Sequence, residues 1–205
     1  MNERYSTSST TDSIVHPKEH NVAVPFYCYL IVIGGIVLWL TPFVRAKWGD
    51  SSLISRDKRT RWGLLLECLG VTLMLQGRFW SFSPPPWRVA ASLLCFILAN
   101  AFSWTSARAL GENLRFDAAI GTKHELIRHG PYAIVRHPVY TSFLCVLWGI
   151  GLMAAPLWLF MAATAVFLIG TEIRVRIEDR LLEEHFGEQV REFRRSTRAY
   201  IPWIR

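Results

Sequence analysis

The chain of 205 residues has no Gly-x-Gly-x-x-Gly after a strand, no Walker phosphate loop and no Gly-x-Ser-x-Gly elbow. These absences exclude a soluble-type nucleotide domain, so any nucleotide-like cofactor has to be held by other helices and loops. Cysteine is scarce. Cys28, Cys68, Cys95 and Cys145 all fall inside apolar stretches, and no Cys-x-x-Cys pair exists. That excludes a disulfide framework or thiolate metal site and predicts four small buried apolar groups. Charge is missing over long runs. Val24–Val44, Val89–Ser106 and Pro138–Thr171 carry none, and Trp62–Gly77 carries only Glu67. With 51% hydrophobic residues and nine Trp, the chain is more apolar than an ordinary soluble domain.

A bilayer span takes roughly 20 apolar residues. The run Pro138–Thr171 is too long for one span and is broken at Pro156, which predicts a helical hairpin, Val139–Ala155 and Leu157–Thr171. The fold class expected is an all-α integral membrane protein of about five transmembrane helices, the last two a hairpin, with a cytosolic loop and C-terminal helices. Pro84-Pro85-Pro86 predicts a short rigid turn, and Trp48, Trp62, Trp80, Trp87 and Trp104 sit near span ends as an interfacial belt does. From Glu172 the last span turns charged but keeps Val175, Ile177, Leu181, Leu182 and Phe186. This predicts a helix emerging from the membrane to a cap at Gly187, then a short amphipathic helix from Glu188 to about Arg195. Tyr200–Ile204 is expected to fold back against the membrane surface.

Residues 1–20, rich in Ser and Thr, predict a disordered tail, with one membrane domain over 21–205. The first apolar segment is too long and its flank too neutral for a cleaved signal peptide. Basic residues alternate between segments. Arg45, Lys47, Arg56, Lys58, Arg59 and Arg61 follow the first span; Arg108, Arg115, Lys123, Arg128 and Arg136 follow the third; eight Arg follow the last. The intervening segments are poor in them. A multi-pass protein follows, its N-terminus outside and its C-terminus cytosolic, in the endoplasmic reticulum if eukaryotic or the inner membrane if bacterial. The net charge of +7 is then accounted for by topology and anionic lipid, without nucleic acid as a partner.

Titratable chemistry clusters in His124–Tyr140, a loop directly before an uncharged span. His137-Pro138 reads as a helix start, where free N–H groups and a partial positive charge attract anions. The plainer reading is a helix cap at His137 with arginines on lipid headgroups. His124, His129 and His137, at spacings of five and eight with no Cys, match no common metal site, so none is expected. Arg174 and Glu178 share a helix face, with Asp179, Arg176 and Arg180 nearby. A solvated salt-bridge face is the usual meaning of such a run. Its position just beyond the membrane exit argues for function. Glu67 is open to two readings, facing a substrate cavity or snorkelling to an end.

Together, His124-x-Leu-Ile-x-x-Gly-x-Tyr132-x-x-x-Arg136-His-Pro-x-Tyr140, then Arg174-x-x-x-Glu178-Asp-x-x-Leu182-x-x-x-Phe-Gly187 and Ile201-Pro-x-Ile204, resemble the isoprenylcysteine carboxyl methyltransferase family over residues 115–205. The resemblance implies S-adenosylmethionine-dependent methyl transfer to a lipophilic acceptor at the cytosolic membrane face. It implies that His124, Glu125, Leu126, Ile127, Tyr132, His137, Pro138, Val139 and Tyr140 line the cofactor. Glu178 then contacts the cofactor's polar part and Arg174 orients the acceptor, these two forming the catalytic pair. The cofactor's carboxylate suits the helix start at His137, and an acceptor carboxylate suits the fork of Arg174. A carboxylate or thiolate acceptor needs no general base; for an amine or phenol, His124 or Glu67 is the candidate. The chain departs from the family pattern at Asp179, at Thr141-Ser142 and around Val190 and Phe193, which bears on the acceptor. The acceptors weighed are a prenylcysteine-like carboxylate, a phospholipid amine and a small hydrophobic thiol. Outside this class stand a sterol-type membrane reductase, which the same region also resembles, and a non-catalytic lipid-binding protein.

Overall fold

The computed structural model describes residues 24–46, 53–75, 83–111, 114, 119–121 and 125–201. The tail 1–20, His124, Trp48, Trp80 and residues 202–205 lie outside the described residues. Helix α1 covers Phe26–Arg45, α2 Thr60–Met74, α3 Pro86–Leu110, α4 Pro138–Ala154, α5 Leu157–Phe186 and α6 Glu188–Ser196. A 3-10 turn, Gly130–Ala133, precedes α4. The chain departs from all-helical at one described place: β1, Leu53–Arg56, pairs antiparallel with β2, Ala119–Gly121. Helices α1, α3 and α5 are long and apolar enough to cross a membrane; α4 is a shorter apolar helix, and α2 spans only 15 residues.

Packing sets the helix directions. On α3, Asn100 Nδ2 reaches Gly35 O at 3.4 Å and Trp104 Nε1 donates to Leu38 O at 3.2 Å, so α1 and α3 run parallel. Pro42 has no N–H, which leaves the Leu38 carbonyl without its helical donor, and the Trp104 indole supplies one. In the low-dielectric setting of an apolar bundle such a substitute is required. At the other end, Arg88 Nη2 donates to Gly151 O at 3.2 Å and Ala155 O at 2.6 Å, and Ser92 Oγ to Gly149 O at 2.7 Å. The start of α3 therefore caps the end of α4, and the two are antiparallel.

Helix α2 buries Thr60, Gly63, Glu67, Gly70 and Met74, spaced in alternating threes and fours as a helix–helix seam requires. A Cβ on Gly170 of α5 would stand 2.5 Å from Gly63 O, so the two backbones touch as membrane helices with small interface residues do. The five helices run alternately, and α4, buried along most of its length, lies at the centre. Leu30, Ile33, Val37, Leu65, Leu94, Ile97 and Met161 are exposed around the outside, and Trp62 and Trp87 stand exposed at helix starts. Of the four cysteines only Cys28 is buried. Cys68 is exposed and the other two are half-buried, so the expectation of four buried thiols is corrected. The reason is geometric: an apolar span has a lipid side as well as a core side, and hydropathy does not separate them.

Candidate active site

The end of the bundle where α1 and α3 finish and α2 and α4 begin carries Arg45, Arg59, Arg61, Arg108 and Arg136. Here α5 continues beyond the apolar core as a charged helix and stops at Gly187, whose φ of 57° favours glycine. Residues 197–200 return to the loop before α4. Arg136 N donates to Arg198 O and His137 N to Ala199 O, both at 2.8 Å, while Thr141 Oγ1 donates to Tyr200 O at 2.7 Å. Ala199 and Tyr200 pack on Tyr140 and Val175, while most of the expected fold-back segment, 202–204, lies outside the described residues.

His137 is buried between two carboxylates of α5. Its Nε2 is 2.9 Å from Asp179 Oδ1 and its Nδ1 3.3 Å from Glu178 Oε2. Burial disfavours the imidazolium, but the hydrogen bonds and negative charges of Asp179 and Glu178 outweigh it, and its pKa is pushed up to about 9. A protonated ring then donates at both nitrogens. Asp179 is also buried, which favours the neutral acid. His137 and Arg136, whose Nη2 donates to Asp179 Oδ2 at 2.9 Å, hold its carboxyl well below the usual carboxylate range. The Tyr140 hydroxyl donates to Glu178 Oε1. These carboxylates meet the side chains of Arg136, His137 and Tyr140, and the side chain of His137 makes no cap hydrogen bond.

The predicted residues form two groups. Glu125, Leu126, Ile127 and Tyr132 line a cleft of about 60 Å³, walled across by Leu182, Val190 and Phe193 of α5 and α6. His137, Tyr140, Glu178 and Arg174 form a chain of polar contacts, in which the Arg174 guanidinium lies 5.0 Å from the Tyr140 ring centroid. Pro138 is buried as the first residue of α4 and Val139 is half-buried beside it. Arg136 and Asp179 join the groups, because both line the cleft and both belong to the chain. Tyr132 is buried at the cleft, and burial together with the charge of Glu178 pushes its phenol well above the usual range, so it stays neutral. On the far side of the same turn, Gly130, Pro131 and Ile134 meet Leu98, Phe102 and Arg108 of α3 along a groove of about 610 Å³ whose lining is mostly apolar.

Residues 87–189 match the phospholipid methyltransferase family, half of the chain, and they contain the central helix, the loop and the charged part of α5. The chain belongs to that family. Methanethiol S-methyltransferase 1 of Bradyrhizobium diazoefficiens is 32% identical over 36% of this chain and 25% of its own length. A probable protein-S-isoprenylcysteine O-methyltransferase of Oryza sativa subsp. indica is 32% identical over 40% of this chain and 43% of its own. A nickel-cobalt-cadmium resistance protein of Alcaligenes xylosoxydans xylosoxydans is 29% identical over 57% and 62%. The chain thus matches about a quarter to three-fifths of the length of these relatives.

The family is one of methyltransferases, and membership implies a methyl donor such as S-adenosylmethionine. The donor's chemical groups have partners here, while the cleft of about 60 Å³ takes only part of the donor. Glu178, whose side chain keeps 24% exposure, offers a carboxylate for an ammonium group or ribose hydroxyls. Leu126, Ile127, Leu182 and Phe193 offer apolar surface for a flat base. Two features escaped the sequence reading. Asp179 and Arg136 hold His137 in place, and the motif's adjacent acids were the signal for them. Glu67 does not reach a solvent-exposed end; it is buried against Arg174 and Thr171.

Proposed function

We propose that this chain transfers the methyl group of S-adenosylmethionine to a lipophilic acceptor at the cytosolic membrane face, most like isoprenylcysteine carboxyl O-methylation. One observation carries the reading: Glu178 and Asp179 of the emergent helix clasp His137 between them, so the loop and α5 are locked around the cleft. Bound there, S-adenosylmethionine would supply an electrophilic methyl on a sulfonium centre. Glu178 binds its polar end, Glu125, Leu126, Ile127 and Tyr132 enclose the rest, and Arg174 orients the acceptor. The family resemblance adds His124, outside the described residues, to the cofactor contacts proposed.

The transfer forms a bond from the acceptor's lone pair to the methyl carbon while the carbon–sulfur bond breaks and its electrons return to sulfur. Neutralisation of charge makes alignment the main requirement, so proximity and orientation account for most of the rate. A carboxylate or thiolate needs no base, and both oxygens of Glu67 are already engaged. A small hydrophobic thiol is the second acceptor class, supported by the similarity to a methanethiol S-methyltransferase.

Calorimetry of S-adenosylmethionine binding to detergent-purified protein tests the reading. Micromolar binding by the wild type, lost in Glu178→Ala, is expected. Folded wild type that does not bind it sinks the methyltransferase reading. Labelled methyl transfer to a prenylcysteine and to an alkyl thiol then assigns the acceptor.

A further inference from the structure

Glu67 stands in mid-helix on α2, 4% exposed. Its Oε1 accepts from Thr171 Oγ1 at 3.0 Å and its Oε2 from Arg174 Nη1 at 2.6 Å. Both partners lie on α5, more than 100 residues away in sequence. Arg174 reaches the pair over Gly63, where a Cβ would come within 2.4 Å of its Cγ. The same guanidinium lies over Tyr140, whose hydroxyl donates to Glu178. Arg174 therefore meets α2 at its stem and its tip before it meets the polar chain.

Arg174 has two carboxylates within its sphere. Glu178 sits one turn further along its own helix, the spacing at which arginine and glutamate ordinarily pair. It pairs instead with Glu67, from which two things follow. The flexible guanidinium is fixed over Tyr140, and Glu178 is left to Tyr140 and His137. Without Glu67 the guanidinium loses a buried carboxylate partner, and Glu178 is a second carboxylate whose charge already acts on it.

We propose that Glu67 is a positioning residue for methyl transfer, holding Arg174 at the acceptor side and away from Glu178. The role rests on the methyltransferase reading above. Misplacing a reacting group by about 1 Å costs on the order of 10²-fold in rate. Glu67→Asp keeps the charge and shortens the reach. It should fold and bind S-adenosylmethionine as the wild type does, yet lose turnover by about that factor. Glu67→Gln releases Arg174 toward Glu178 and should weaken cofactor binding as well. Adding Arg174→Met to Glu67→Gln should restore cofactor binding but not turnover, a split that a merely structural role does not produce. The Asp and double variants remain readable if Glu67→Gln does not fold. Wild-type turnover in Glu67→Asp and Glu67→Gln overturns the role and leaves the methyltransferase reading standing. A wild type that transfers no methyl group to prenylcysteine or thiol overturns both.

Discussion

His137 keeps its proton only because α5 presents a carboxylate to each of its ring nitrogens. Its folded pKa, about 9, lies above its ordinary 6.5, so its contribution to stability is full below pH 6.5 and is lost as pH rises through 9. Asp179 is shifted the opposite way. Its contribution is present above its ordinary 3.8 and fades as pH falls toward the depressed folded value. The cluster is therefore intact from about pH 4 to pH 9. Thermal melts of wild type and His137→Asn are expected to differ most at about pH 6 and to converge by about pH 10. A constant difference across that range would show that folding does not raise the pKa of the ring.

At the scale of helices, contact between backbones decides more than side-chain size. Gly170→Ala sets a methyl 2.5 Å from Gly63 O and 2.9 Å from Glu67 N, backbone atoms that cannot turn aside. A loss of about 1–3 kcal/mol is expected in denaturant unfolding. Gly34→Ala, with nothing within 4 Å, should be neutral or gain up to about 1 kcal/mol. Equal costs at the two positions would refute this account of the α2–α5 seam. The Trp104–Leu38 bond has a test of its own. Trp104→Phe should cost about 1 kcal/mol more in the wild-type background than in a Pro42→Ala background, where the helix regains its own donor. Helix positions were legible because uncharged runs end at prolines and arginines, so α1 to α5 fall within a few residues of their expected bounds. Strands of four and three residues carry no periodicity, and β1 and β2 were not legible. The loop and α5 motifs marked the candidate site, but the Glu67–Arg174 pair joins helices far apart in sequence, and no spacing encodes such a partner.

Taken whole, the chain places its exposed leucines, isoleucines and valines around the bundle, while Arg45, Arg59, Arg61, Arg108 and Arg136 gather at the end holding the candidate site. That asymmetry supports a cytosolic site with the Pro156 turn opposite. In a variant lacking the native cysteines, Arg180→Cys should react with an impermeant thiol reagent only from the cytosolic side, and Leu157→Cys only from the other. Reaction of both from one side would overturn the alternating arrangement. The site also has an order of assembly. Residues 136 and 137 leave the ribosome before α4, but their backbone N–H groups pair with residues 198 and 199, made only after α5 and α6. A half-synthesised chain therefore cannot close the loop around a ligand, and competence for binding arrives only after the last helix hairpin has been inserted.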